Sequence, residues 1–121
     1  MLAIAAMPLL AACTGNPFGG VVCTDDARPG VIVQLRQAPD GSELSGPATV
    51  IVRDGTYADT AHVPAGMSSA GLAHERAGVY EVVVRKFGYT DWKRAGVAVE
   101  DGECHVRTVR LRADLQPTPQ G

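Results

Sequence analysis

The residues of this 121-residue chain best equipped for chemistry are 3 cysteines, 3 histidines and 13 carboxylates. His62, His74 and His105 fall on separate segments, without His-x-His or HExxH spacing. Cys104 and His105 are neighbours, and neighbours on a strand point to opposite faces. No metal site is expected from them. Asp25-Asp26, Asp54 with Asp59, and Asp101-Gly102-Glu103 offer oxygen atoms to Ca²⁺, yet none keeps the ligand spacing of a calcium loop. Asp-Gly also has a sufficient local role in tight turns. Ser42, Ser45, Ser68 and Ser69 lack a GxSxG elbow, and a nucleophile needs a base beside it. The acid–base pair that a small hydrolase would most readily use is His74-Glu75. Neither catalytic residues nor a cofactor is expected. Phe87, Tyr89 and Trp92 gather around one turn. Aromatics so placed stack on sugar rings, anchor a protein partner, or cap the open end of a sandwich. They form the candidate binding surface.

Strands must position these side chains. The length suits one domain, and 45% hydrophobic residues suffice for a small core. The 14 glycines and 8 prolines punctuate a series of short strands. A net charge of −2 supplies no basic field, so nucleic acid is not an expected partner. The hydrophobic period is two. Val31, Val33 and Leu35 share a face, as do Val50 with Val52, and Tyr80 with Val82 and Val84. Asp54-Gly55 and Asp101-Gly102 mark hairpin turns, and "YADTAHV" is a weaker strand that hairpins back. Residues 64–78 form the longest expected loop, with a short strand around Leu72–His74. In the last strand Val106 is out of phase with Val109 and Leu111, for which a β-bulge near Arg107–Thr108 is the least costly account. Arg107, Arg110 and Arg112 read as a solvated face that blunts an edge. The pattern predicts an all-β fold, a single small antiparallel sandwich of about seven strands over residues 25–115, followed by a disordered tail, 116–121.

The N-terminal run "MLAIAAMPLLAA" carries no charge and as a helix spans only about 18 Å, against a hydrocarbon core of about 30 Å. It fits a secretory signal. Leu10-Ala11-Ala12-Cys13 resembles the lipobox of bacterial lipoproteins, although no Lys or Arg precedes the apolar run. The resemblance implies cleavage after residue 12 and lipid on the Cys13 thiol, with 13–24 a flexible tether. Thr14 in place of Asp implies sorting to the outer membrane of the cell envelope. With Cys13 acylated, Cys23 and Cys104 are left as an even pair in an oxidising compartment, which predicts a disulfide, the alternative being two buried thiols.

"ERAGVYEVVVRKFGYTDW" resembles the carboxypeptidase regulatory-like domains, transthyretin-like sandwiches of bacterial envelope proteins, through Gly78, Tyr80, Val82, Val84, Gly88 and Tyr89. "ATVIVRDGTYADT" resembles the part of that pattern that precedes it. The resemblance spans roughly residues 29–113 and implies a non-catalytic binding or structural module. A related purine-catabolism hydrolase ends in Tyr-Arg-Gly-Ser, and this chain ends "PTPQG". The expected partners are the membrane, through Cys13, and an envelope protein, with a glycan as the alternative. If the lipobox is used, the Cys13→Ala protein leaves the membrane fraction and lacks the acyl mass. Wild-type membrane partitioning of that variant would refute the anchor.

Overall fold

The computed structural model describes residues 22–119. The expectations for residues 1–12 and Cys13 lie outside them. Among the described residues there is no helix, and the fold is an all-β sandwich. Its strands are β1 (Val31–Gln37), β2 (Ser42–Glu43), β3 (Ala48–Asp54), β4 (Tyr57–Val63), β5 (Ser69–Leu72), β6 (Gly78–Arg85), β7 (Trp92–Asp101), β8 (Val106–Arg107) and β9 (Val109–Leu115). Seven have four residues or more, and β2 and β8 have two each.

One sheet has the order β4-β3-β6-β7-β8, all antiparallel. In the other, β1 is central. It pairs with β2 and β5 along successive parts of one edge, and with β9 along the other. The β1–β9 pair is parallel, which the expectation of a purely antiparallel sandwich did not include. The inward residues of β1, β3 and β6 are those the period of two selects: Val31, Val33, Leu35, Val50, Val52, Val82 and Val84 are all 0% exposed. Each such side chain contributes about 1.5–3 kcal/mol through burial. The β3–β4 hairpin closes with Asp54 opposite Tyr57 and Gly55 at φ +61°, the type II′ pattern with glycine first.

Three local expectations need correction. The phase slip before β9 is no bulge, because β8 pairs with β7 in one sheet whereas β9 lies beside β1 in the other. The chain changes sheets at Thr108, whose hydroxyl donates to the Pro29 carbonyl at 2.7 Å. Val106 and Leu111 therefore face one core from opposite walls, and both are buried. A bulge does occur in β7, where the register shifts opposite Tyr80–Val82 and Gly96 takes φ +72°. Within 64–78 the strand is Ser69–Leu72, ending before His74. The tail is bonded as far as Thr118: Thr90 N–H donates to the Gln116 carbonyl at 2.8 Å, and Thr118 N–H to that of Gly88 at 2.9 Å.

Gly78 and Tyr80 open β6 for a steric reason. Tyr80 is 1% exposed, and its hydroxyl donates to the Arg76 carbonyl four residues earlier at 2.7 Å, the arrangement of a tyrosine corner. The Arg76 guanidinium returns a bond to that hydroxyl, pairs with Asp54 at 3.1 Å and lies 3.9 Å from the Tyr57 ring centre. A Cβ on Gly78 would come 2.5 Å from the Asp54 carboxylate and 3.1 Å from Arg76 Nη1. Both atoms are the ends of side chains about a third exposed that can give way, so Gly78→Ala is expected to cost about 1 kcal/mol, through the loosened Asp54–Arg76–Tyr80 contacts. Urea denaturation measures it, and an unchanged midpoint would refute this account.

Candidate functional site

Strand β6 runs from one end of the sandwich to the other, and candidate residues lie at both. At its start an N-terminal arm, residues 22–30, is stitched across the molecule. Gly30 N–H donates to the Leu72 and Ala73 carbonyls at 3.0 and 3.1 Å, and Val109 N–H donates to the Gly30 carbonyl at 2.8 Å. A Cβ on Gly30 would stand 2.8 Å from the Ala73 oxygen, so the arm passes between β5 and β9 only with glycine there. The arm is covalently closed by the Cys23–Cys104 disulfide, with Cα atoms 5.2 Å apart. This bond agrees with the pairing expected from cysteine parity. Cys104 sits in the β7–β8 loop, which is closed by Gly102 N–H to the His105 carbonyl at 2.9 Å. In the loop-entropy account an 81-residue separation corresponds to about 4.5 kcal/mol. Cys23 and Thr24, expected in a flexible tether, are fixed.

Glu75 organises this end. Its carboxylate accepts Arg28 N–H at 2.9 Å and Val106 N–H at 3.2 Å, and also bonds His105 Nδ1. Its own N–H donates to the Arg28 carbonyl at 2.9 Å. Ala73 and Glu75 both take left-handed backbone, φ 54° and 53°, at a cost of order 1–3 kcal/mol each. Bonds on both sides hold them there: Ala73 N–H donates to Asp59 Oδ2 at 2.9 Å, and its carbonyl accepts from Gly30 and Arg76. The other nitrogen of His105, Nε2, lies 2.9 Å from the Thr24 hydroxyl and 3.9 Å from Asp26. The His74-Glu75 pair expected from the sequence is thus replaced by Glu75 with His105, while His74 is exposed. These residues border an open cleft of about 430 Å³ lined also by Asp25 and Asp26. Among the described residues no three metal-ligating side chains are grouped to hold an ion.

At the far end of β6, residues Lys86–Tyr89 make a turn closed by Tyr89 N–H to the Lys86 carbonyl at 3.0 Å. Gly88 at φ +85° gives it type II character. Phe87 occupies the corner and is 99% exposed. Tyr89 and Trp92 do not join it in an exposed patch. Both pack partly buried against the core, Tyr89 donating to Gln37 Oε1 at 3.0 Å and Trp92 lying under the Arg94 guanidinium. Phe87 instead borders a groove of about 390 Å³, with Pro47, Val63 and Pro64 on its apolar side. His62, Arg85 and Lys86 also line it.

No family model matches the chain, and no curated protein matches it.

The Glu75 carboxyl is held below its ordinary value of 4.5, first by the Arg28 N–H, with His105 and the Val106 N–H adding to it against partial burial. Asp26 is lowered as well, by the Thr24 hydroxyl and then the Arg28 guanidinium. A lowered native pKa means the unfolded chain takes up the proton first. The stability due to Glu75 is therefore present above about pH 4.5 and lost as the pH falls through its native value. Glu75→Gln should flatten the acid limb of a melting temperature–pH profile below about pH 4.5. An unchanged slope would refute the assignment.

Proposed function

We propose that this chain is a lipid-anchored protein of the bacterial cell envelope, held in the outer membrane by acyl chains on Cys13. Its sandwich serves as a non-catalytic binding module of the carboxypeptidase regulatory-like kind. The observation that carries this reading is the division of the two ends: the arm is bonded down at one, and the exposed aromatic stands at the other. Cys23 follows Cys13 by ten residues, at most about 35 Å of extended chain. Strand β6, with eight residues, sets the Phe87 turn about 24 Å from the arm. A domain fastened this way keeps its attachment close to the bilayer and its Phe87 turn remote from the attachment. The glycines and tyrosines behind the family resemblance have physical roles that support it: Gly78 clears space for the Tyr80 cluster, and Gly88 makes the turn that presents Phe87. A protein partner is favoured over a glycan, because Trp92 is covered by the core and Arg94 rather than free to stack.

One arrangement favours a second reading, a small hydrolase. Glu75, His105 and Thr24 follow the order carboxylate, imidazole, hydroxyl of a hydrolytic relay. Against it, Asp25 and Asp26 line the same cleft, so a developing oxyanion would meet carboxylates instead of donors. A photo-crosslinking residue in place of Phe87, compared in cells with one in place of Val79, separates the readings. Reproducible protein adducts from position 87 alone are expected. Absence of adducts, together with esterase turnover that His105→Ala abolishes in a folded protein, would overturn the binding reading.

A further inference from the structure

We infer that the groove beside Phe87 takes a short acidic segment of a protein partner, with an apolar side chain of that segment lying against the Phe87 ring. This inference rests on reading the Phe87 end as a binding surface and adds the chemistry of what binds. Three observations carry it. The groove is lined by Pro47, Ala48, Val63, Pro64 and Phe87 on its apolar side, and no acidic side chain lines it. Its polar lining is Thr49, His62, Arg85 and Lys86, in a chain whose net charge is −2. Two cations and no carboxylate among the lining residues complement carboxylates in a bound segment. Phe87 is 99% exposed at the corner of a turn whose other residues are bonded in place. An unpartnered aromatic carried on a fixed turn beside an apolar groove is suited to anchor a protein interface.

The cations are positioned rather than free. Lys86 Nζ donates to the Pro47 carbonyl at 3.2 Å and stands 5.8 Å from the Tyr89 ring centre. An ammonium carries three donors, so protons remain for a carboxylate. Arg85 Nε donates to Asp91 Oδ2 at 3.3 Å, and the two terminal nitrogens of its guanidinium face no carboxylate among the described ion pairs. His62 lies opposite Thr49 in register, with Nδ1 3.3 Å from the Thr49 hydroxyl. Thr49 in turn lies opposite Arg85, so the three occupy one row across β4, β3 and β6. The row is polar and the adjoining strand ends are apolar. A peptide alternating carboxylate and aliphatic side chains matches that division.

The test uses the full chain and a fluorescein-labelled octapeptide alternating glutamate and leucine, read by fluorescence anisotropy. Two controls accompany it, the same peptide with lysine for glutamate and one with serine for leucine. Saturable binding of the first peptide is expected, with about tenfold or greater loss for Phe87→Ser and for Lys86→Glu. Affinity should also fall as salt is raised. Val79→Ser, at an exposed position on β6 outside the groove, should bind as wild type. No saturation, equal binding of the lysine peptide, or full affinity in Phe87→Ser would each overturn the inference. Vesicles containing phosphatidylglycerol form a further arm: binding to them that requires Phe87, without peptide binding, would assign this end to a lipid surface. Protein adducts at position 87 whose crosslinked segment is not acidic would leave the binding-module reading standing and sink this one.

Discussion

The chain crosses from one sheet to the other between Leu72 and Gly78, and this crossing holds one whole end of the molecule together. Two neighbouring side chains leave it for opposite duties. Glu75 ties the arm to the β7–β8 region through Arg28, His105 and Val106. Arg76 serves the core side, joined to Asp54 and to the hydroxyl of Tyr80 and stacked on Tyr57. The left-handed backbone at Ala73 and Glu75 permits this division, since an extended chain would alternate the faces without reversing direction. The strain is sustained because both flanking residues are bonded to different elements.

The layer of valines was legible in the sequence because both sheets bury one face, and a period of two then marks every inward position of β1, β3 and β6. The disulfide was legible for a different reason, cysteine parity once Cys13 is set aside. The remainder was not local information. The phase of Val106 against Leu111 looks like an irregularity within one strand until it is known that β8 and β9 belong to different sheets. Strand β5 buries only Leu72 fully, so its existence follows from pairing with β1 and not from its own pattern.

The functional residues divide in the same way. Glu75 was singled out with the wrong partner, for its neighbour in sequence is exposed while His105, thirty residues away, is brought beside it by the fold. Phe87, Tyr89 and Trp92 share a sequence neighbourhood but not an environment. A type II turn sends its second residue outward, whereas Tyr89 and Trp92 rest on the core as the turn rejoins a strand. The docked tail has no signature in the hydrophobic pattern, because Gln116 and Thr118 are held by backbone bonds to the β6–β7 turn and by the Thr118 hydroxyl to the Gly88 carbonyl.

The disulfide also decides how the molecule bears load. Strands β1 to β7 all lie between Cys23 and Cys104, inside one covalent loop. Tension on the two chain termini passes directly across the sulfur bridge, so those strands can be loosened but never drawn out into an extended thread. Among the described residues, only those outside the loop can lengthen, chiefly the stretch from β8 onward. A pull from upstream is likewise shared between the arm and the short loop holding Cys104, and β1 is not the sole link to be peeled from its sheet. The bridge acts as a mechanical stop, fixing how far the protein yields under force.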